Sequence, residues 1–290
     1  MAGYTVLYNP LAGCGKGREN AKKLEQILSG QSLTFTDMTT LNGYTDFFSG
    51  LDKDEKIIIS GGDGTLNRFV NESDDLWRGY DVYYYAAGSG NDFLRDIAKD
   101  GGNGIVRINK YIENLPTVTV NGMTKRFING IGYGIDGYCC EVADAMPKNP
   151  DKPINYAAIA IKGVLFHYKP TRATVTVDGR EKEYKKVWIA PTMNGRFYGG
   201  GMMPTPSQDR LSDGVSTMIY YGYGRLKTLA VFPSIFKGEH IKHTEMVEVT
   251  HGSDVTVRFD RPVALQIDGE TVLGVSEYSV SSKARVPSAV

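Results

Sequence analysis

The segment that decides the fold of the first half is IIISGGDGTLNRFVNE, residues 57–72. A β-branched run enters a glycine-rich loop, and Leu66, Phe69 and Val70 then follow one another at helical spacing. A short buried strand that leads through a tight loop into a helix is typical of a parallel α/β sheet. Asp63 stands inside this loop. Either the loop is an ordinary turn, or its bare backbone lets an anion approach.

The same strand, loop and helix unit recurs through the first hundred residues. Strands are predicted at 4–9, 33–37 and 81–87, and a helix is predicted over 18–29. Three glycine-rich loops follow strands and precede helices: NPLAGCGKG (9–17), GGDGT (61–65) and GSGND (88–92). Ligands bind at the carboxyl ends of parallel strands, and the N–H groups at a helix start attract phosphate. These loops therefore predict one shared anion site.

The sequence changes character near residues 110–116. Alternating β-branched runs separated by Asn-Gly and Asp-Gly turns then predict an antiparallel sheet or sandwich. Helices are predicted to interrupt it at 137–146, 155–167 and 225–236. The chain therefore predicts an α/β domain followed by a β domain.

Composition excludes several classes of protein. The chain has 290 residues with 33 basic and 33 acidic side chains, a balance that argues against nucleic-acid binding. The opening MAGYTVLYNP resembles a strand and not a signal peptide, and no apolar stretch reaches the ~20 residues of a membrane span. Three cysteines, Cys14, Cys139 and Cys140, make neither a disulfide framework nor a zinc site. We expect a reduced, cytoplasmic compartment.

Two other motifs match only in part. GCGKGR near Lys16 lacks the earlier glycine and the following Ser or Thr of a P-loop. GYGIDG, residues 132–137, is a literal G-x-G-x-x-G, but a lone match within the β-rich half is weak evidence for dinucleotide binding. His240 and His243 have no third ligand near them, so they are interpreted as core or surface residues.

Acidic residues in the loops point to a metal. A carboxylate at Asp63 or Asp92 would repel phosphate unless a cation lay between them, and Mg²⁺ commonly bridges carboxylates to phosphates. The alternative for each is a helix N-cap, which for Asp92 alone would be favoured. Asp268 and Glu270 share one face if the chain is extended. Asp-Gly is also the signature of a type I′ hairpin turn, which spacing alone favours.

The ordered set of motifs resembles the bacterial diacylglycerol kinase-like lipid kinases, whose catalytic domain is shared with sphingosine and ceramide kinases. The resemblance covers nearly the whole chain. GGDGT alone is shared with NAD kinases, whereas the full set is more specific. The segments that carry it are NPLAG, GGDGTLN, AAGSGNDFLRD, FINGIGYGID, NYAAIAIKGV, YGGGMMPTPSQDRLSDGV and IDGE.

This resemblance implies an N-terminal NAD-kinase-like α/β domain with a parallel sheet (1–113) and a C-terminal antiparallel β-sandwich domain (114–277), with the active site between them. The tail, 278–290, is expected to return to the first domain. It also implies an ATP- and Mg²⁺-dependent kinase, cytoplasmic and peripheral at the inner membrane surface, that acts on a lipid hydroxyl. The acceptor lipid and the oligomeric state stay open, a homodimer included.

The resemblance also assigns roles to individual residues. Asp268 would be the general base on the lipid hydroxyl. Nucleotide contacts would come from Asn9, Gly61, Gly62, Asp63, Gly64, Thr65, Gly88, Ser89, Asn91 and Glu270. Metal ligands would be Asp63, Asp92 and Glu270, with Asp213 at a second, structural metal site.

Four positions depart from the family pattern. Arg68 stands where the family usually has glutamate, and Ala12 replaces a serine. An alanine replaces the proline before the GSGND loop, and Ser89 replaces a threonine while keeping the hydroxyl. Arg68 reverses a charge near the expected phosphates. Two other functions therefore stay open, an NAD kinase-type phosphotransferase and a non-catalytic nucleotide-binding regulator.

Overall fold

A computed structural model of the chain describes residues 3–88, 91–97, 104–147 and 154–282. The chain divides into two compact units, Met1–Glu113 and Asn114–Val290. The first is an α/β unit and the second is built on antiparallel strands, which confirms the predicted fold class. In the part of the chain that the structure describes, every helix is too short or too polar to cross a bilayer.

The first unit is a five-stranded sheet with the order β2-β1-β3-β4-β5. Its strands are β1 (Tyr4–Tyr8), β2 (Leu33–Asp37), β3 (Lys56–Gly61), β4 (Asp81–Ala86) and β5 (Ile105–Arg107). Its helices are α1 (Ala12–Gly15), α2 (Gly17–Lys22), α3 (Leu24–Ile27), α4 (Tyr44–Ser49), α5 (Asp63–Glu72), α6 (Asp92–Ile97) and α7 (Asn109–Ile112).

Central strand β3 has the burial pattern that is typical of a parallel sheet. Ile57, Ile58 and Ile59 are all fully buried, as expected for a strand covered on both faces. Strands β1 to β4 pair in parallel, whereas β5 pairs with β4 antiparallel. The helix predicted over residues 18–29 is divided at Lys23 into α2 and α3.

The second unit contains one network of ten strands, in the order β13-β12-β11-β8-β14-β15-β6-β7, with β9 and β10 attached to β14. The strands are β6 (Thr117–Val120), β7 (Met123–Arg126), β8 (Gly130–Tyr133), β9 (Thr171–Val177), β10 (Arg180–Val187), β11 (Thr192–Met193), β12 (Val215–Tyr220), β13 (Val247–Gly252), β14 (Asp254–Ile267) and β15 (Glu270–Ser281).

Strand β14 joins the two parts of this network. Its first half pairs with β9 and its second half with β8, and the pairing with β15 shifts between Arg258 and Val263. Such an irregularity bends a strand and lets it serve two layers. Tyr133 of β8 stacks on Phe259 of β14, with ring centroids 3.8 Å apart, in the common core.

Three helices and a π-helical turn cover part of this unit. They are α8 (Ile135–Asp144), α9 (Tyr156–Lys162), the π-helical turn Gly163–His167 and α10 (Arg225–Val231), which continues into a 3₁₀ helix at Phe232–Lys237. All three predicted helices are therefore present with shifted ends. His240 is fully buried, and its Nε2 lies 2.9 Å from the Pro204 carbonyl, which makes it a core histidine.

The end of the chain differs from the expectation. Residues 278–281 complete β15, and Ser279 and Val280 pair with β6 inside the second unit. These residues of the expected tail are thus part of the antiparallel network of the second unit. Residues 283–290 lie outside the described residues.

A close backbone approach between α8 and β14 yields a prediction about stability. A Cβ added at Gly137 would lie 2.0 Å from the Ala264 carbonyl oxygen, whereas one added at Gly224 would meet nothing within 4 Å. We expect Gly137→Ala to lower the free energy of unfolding by about 1–3 kcal/mol because helix and strand must separate. Gly224→Ala is the control.

The measurement is urea unfolding of the second unit, followed by Trp188 fluorescence in a Trp77→Phe background, since the chain has two tryptophans. An unchanged midpoint for Gly137→Ala would contradict the close packing of α8 on β14.

Candidate functional site

The three predicted loops of the first unit follow β1, β3 and β4, which are neighbours in the sheet. These strands run in parallel, so their carboxyl ends lie at one edge. The expected convergence of the loops is therefore present, and it is made by direct contacts between them.

Asn9 joins the first loop to the second. Its Nδ2 donates to Thr65 Oγ1 at 3.2 Å, and its Oδ1 accepts from the Leu11 N–H at 3.0 Å. A Cβ at Gly17 would lie 1.8 Å from the Asn9 carbonyl oxygen, so α2 packs directly on this loop. Asn9 thus holds a fixed position between β1 and the start of α5.

The second loop turns β3 into α5, with Gly62 at the N-cap. A Cβ at Gly61 would lie 2.4 Å from the Thr65 hydroxyl, so only glycine fits there. A Cβ at Gly64 would meet nothing within 4 Å, and Gly64 is exposed. The first N–H groups of a helix often lack a partner within the helix. At the start of α5 the Thr65 N–H donates to the Gly62 carbonyl at 2.9 Å.

The third loop packs against the second. The Ala87 N–H donates to the Gly61 carbonyl at 2.9 Å, and a Cβ at Gly88 would lie 2.5 Å from Gly62 Cα. Asn91 Nδ2 donates to the Gly88 carbonyl at 3.0 Å, which closes the loop on itself. Ser89 lies outside the described residues.

Asp63 fastens these two loops together. Its carboxylate accepts from the backbone N–H groups of Asp92, at 2.9 Å, and Phe93, at 3.3 Å. Asp63 therefore caps α6. The sequence indicates capping as the alternative role of each aspartate, but at the start of its own helix, whereas Asp63 caps a different helix. The Asp92 side chain is buried, and its carboxylate lies 3.7 Å from the Arg95 guanidinium.

A metal site is not preformed by these side chains. Among the described residues, no group of three or more His, Cys, Asp or Glu side chains is arranged to hold a metal ion. The predicted ligands Asp63 and Asp92 are nevertheless adjacent, because the first accepts a hydrogen bond from the backbone of the second.

Arg68, the departure from the family pattern, lies on the surface of α5. Its Nε donates to the Glu72 carboxylate at 2.8 Å, one helical turn further along. This hydrogen bond, despite some desolvation, raises the pKa of the guanidinium. The positive charge is thus directed toward the C-terminal end of α5 and is paired there.

In the second unit, Asp268 and Gly269 form the turn between β14 and β15. Both have positive φ, 46° and 92°, and Ile267 faces Glu270 across the hairpin. Positive φ at both central positions defines a type I′ turn, the alternative that spacing favoured. The extended arrangement, with both carboxylates on one face of a strand, is not formed.

The Asp268 carboxylate points back to the loop before β8. It accepts from three consecutive backbone N–H groups, those of Ile128 at 2.5 Å, Asn129 at 2.8 Å and Gly130 at 3.0 Å. Hydrogen bonds to a charged carboxylate are strong, so its orientation is closely constrained. The predicted base therefore sits on a rigid support.

Two buried side chains hold that loop in turn. Arg210 donates to the Ile128 carbonyl and to Asn129 Oδ1, each at 3.0 Å, and Asn194 donates to the same carbonyl at 2.9 Å. Sequence reasoning missed both residues. Arg210 stands in the family-like segment SQDRLSDG, but only contacts across 81 residues or more reveal its role.

The remaining predicted ligands of this unit lie in different surroundings. Glu270 is exposed and forms an ion pair with Lys125 of β7. Asp213 is also exposed, and its backbone carbonyl accepts from the hydroxyl groups of Ser253 and Ser282.

Gln266 connects the Asp268 turn to a second carboxylate. Its Oε1 accepts from the Gly269 N–H at 2.6 Å, and its Nε2 donates to Asp136 Oδ2 at 3.0 Å. Burial raises the pKa of Asp136 to about 6, although the hydrogen bond from Gln266 opposes the shift. Sequence patterns contained no signal for this link.

The same contacts explain the G-x-G-x-x-G of residues 132–137. A Cβ at Gly132 would lie 1.5 Å from Asp136 Oδ2, one at Gly134 2.5 Å from the Trp188 carbonyl, and one at Gly137 against Ala264. The space above these glycines is filled by the chain itself. These glycines allow close packing of the chain. This agrees with the sequence, in which the motif is only weak evidence for dinucleotide binding.

Two family models match the chain. The Diacylglycerol kinase catalytic domain matches residues 3–127, and the YegS C-terminal NAD kinase beta sandwich-like domain matches residues 129–289. The second match alone spans more than half of the chain.

Relatives and solved structures agree with these matches. The chain is 27% identical to a diacylglycerol kinase of Bacillus subtilis, over 91% of this chain and 88% of that protein. It is 26% identical to a diacylglycerol kinase of Mycobacterium tuberculosis, over 74% and 70%. A crystal structure of a diacylglycerol kinase from Bacillus anthracis superposes with a TM-score of 0.61 at 18% identity, covering 96% and 93%. The structural likeness shows a shared fold.

The raised pKa of Asp136 predicts how stability depends on pH. Between about pH 4 and 6 the folded protein binds the Asp136 proton more tightly than the unfolded chain does, so stability falls as pH rises through this window. We expect Asp136→Asn to remove this loss. The variant should gain up to about 3 kcal/mol relative to wild type between pH 4 and pH 8.

The measurement is urea unfolding at both pH values. Asp144→Asn, at an exposed position on the same helix, is the control. Equal pH dependence for wild type and Asp136→Asn would contradict the enclosure of this carboxylate.

Proposed function

Because the chain belongs to the family defined by the diacylglycerol kinase catalytic domain and the YegS C-terminal domain, we propose that it is an ATP- and Mg²⁺-dependent lipid kinase. It transfers the terminal phosphoryl group of ATP to a hydroxyl group of a membrane lipid, diacylglycerol or a related lipid. The observation that carries this proposal is the contact of three glycine-rich loops at one sheet edge, the first joined to the second by Asn9 and the second to the third by Asp63.

The loops fit a nucleotide phosphate. Gly61 and Gly88 are both closely packed: a side chain at Gly61 would meet Thr65 of the same loop, and one at Gly88 would meet Gly62 of the neighbouring loop. Gly64, in contrast, faces open space. Backbone N–H groups at the start of α5 would bind the phosphate oxygens. Asn9 and Thr65 would contact the nucleotide beside them. Gly62, Ser89 and Asn91 complete the proposed nucleotide contacts.

Mg²⁺ would neutralise charge on the phosphates when bound. Asp63, Asp92 and Glu270 are its proposed ligands, directly or through water, because Mg²⁺ prefers oxygen ligands and keeps several waters. A site completed by water and phosphate agrees with the absence of a preformed cluster of three ligand side chains among the described residues. Asp213 is proposed as a ligand of a second, structural metal.

Asp268 is the proposed general base. Three backbone N–H groups hold its carboxylate in one orientation, which a proton acceptor needs if it is to meet the lipid hydroxyl reproducibly. Arg210, Asn194 and Gln266 would be positioning residues, since they act on the loop or on the turn and not on substrate.

The function is tested by incubating the full chain and Mg²⁺ with γ-labelled ATP and either mixed bacterial lipids or NAD. We expect label in the lipid fraction, in a compound that co-migrates with a phosphorylated lipid. Label in NAD would support the NAD kinase-type alternative. ATP binding without transfer to either acceptor would support a non-catalytic regulator.

Substitution of the proposed base gives a sharper test. We expect Asp268→Asn to lower kcat by about 10²–10⁴-fold while ATP binding, measured by calorimetry, changes little. Asp178→Asn is a matched control, because Asp178 also begins an Asp-Gly hairpin turn with positive φ. Its carboxylate likewise accepts from the Ser253 and Asp254 N–H groups, at 3.0 and 2.9 Å.

Both variants lose a similar structural contact, so only a role in proton transfer separates them. Circular dichroism checks that each remains folded. Retained turnover in Asp268→Asn would remove this residue as the base, and equal loss in Asp178→Asn would reduce its role to support of the fold.

A further inference from the structure

Two segments of the second unit are basic and contain no acidic residue. Residues 154–170 carry Lys162 and Lys169, and residues 221–237 carry Arg225, Lys227 and Lys237, without Asp or Glu in either. The chain as a whole is balanced, with 33 basic and 33 acidic side chains. The positive charge is therefore concentrated locally. Among the described residues, Lys227 is the one basic side chain of these segments in a salt bridge, to Glu245 at 3.0 Å.

The same segments expose large apolar side chains. Phe166 is 72% exposed and Leu226 80%, and Tyr156 and Ile161 are each 50% exposed. The first segment packs on the core of the second unit through other residues, the buried Ile159, Val164 and Tyr168. The outward-facing apolar residues of α9 and the π-helical turn are not needed for that core.

The two segments are joined at their surface. Arg225, at the start of α10, donates from Nη1 to the carbonyl oxygens of Val164, at 3.2 Å, and Leu165, at 2.9 Å. Exposed Phe166 and Leu226 directly follow the residues that make this contact. We define the basic apolar face as Tyr156, Ile161, Lys162, Phe166, Lys169, Leu226 and Lys227.

We propose that the basic apolar face docks the protein on the surface of an anionic lipid bilayer. Aromatic and aliphatic side chains enter the boundary between headgroups and acyl chains, while the lysines remain at the anionic headgroups. Each lysine near such a surface contributes about 1 kcal/mol of attraction. A charged, water-soluble partner would not require four large exposed apolar side chains.

A second copy of this chain fits less well. Pairing the face with itself would bring lysines together without any acidic side chain from these segments, and like charges across an interface are repelled. The choice of a bilayer rests in part on the proposed lipid kinase function, since an enzyme with a membrane lipid as acceptor must reach the bilayer surface.

The test is sedimentation of the full chain with vesicles, without ATP. We expect binding to vesicles made of phosphatidylcholine and phosphatidylglycerol in equal parts, and at least about tenfold weaker binding to phosphatidylcholine alone, the expected effect of two lysines. Phe166→Ser with Leu226→Ser should weaken binding to the mixed vesicles by about tenfold or more. Lys162→Gln with Lys169→Gln should remove the preference for the anionic lipid.

Matched controls lie elsewhere in the same unit. Leu211→Ser changes an apolar residue that is 47% exposed, and Lys182→Gln changes an exposed lysine that, like Lys227, pairs with a glutamate. Both should bind vesicles as wild type does. Wild-type binding by the Phe166/Leu226 double variant would overturn the proposal, as would failure of the wild-type chain to bind mixed vesicles. A dimer that the double variant dissociates would assign the face to a second copy.

Phosphoryl transfer is measured separately, with short-chain diacylglycerol dispersed below its critical micelle concentration. The double variant should retain wild-type transfer to this acceptor if the proposed function holds. Vesicle binding that depends on the face, with no lipid ever phosphorylated, would remove the proposed function and leave the docking surface supported.

Discussion

The carboxylate of Asp63 is the contact on which the candidate nucleotide site depends. It accepts hydrogen bonds from the first N–H groups of α6 and so fixes the third loop against the second. Without it, two glycine-rich loops would meet with few side chains to hold them. An acidic residue in a loop that favours anions is thus explained in part by structure alone. The proposed Mg²⁺ role would be added to that cap.

Asp268 follows the same physical rule in the second unit. A carboxylate next to a glycine turn accepts backbone N–H groups from a distant loop, and buried polar side chains then hold that loop. Asp178 repeats the arrangement at another Asp-Gly turn with no assigned chemistry. A carboxylate that accepts backbone N–H groups at an Asp-Gly turn can therefore serve the fold alone. A difference in behaviour between Asp268 and Asp178 is what distinguishes a catalytic role from a structural one.

The departure at Arg68 becomes less consequential in three dimensions. In the sequence it reverses a charge next to the expected phosphates, which motivated a non-catalytic alternative. In the structure the guanidinium pairs with Glu72 on the exposed side of α5. Exposed pairs of this type stabilise a helix by a few tenths of a kcal/mol, so the residue is explained without any role toward the nucleotide.

Local sequence patterns were enough to predict the alternation of strands and helices in the first unit, the glycine-rich loops at strand ends and the Asp-Gly hairpin turn, but not β5, α4 or α7. Periodicity and turn chemistry act over a few residues, so they can be recognised locally. The tertiary structure alone decided what each carboxylate touches. Asp63 finds its partners 29 and 30 residues away, and Asp268 finds its own 138–140 residues away. No local pattern encodes such pairings, because they arise only when separate strands pack side by side.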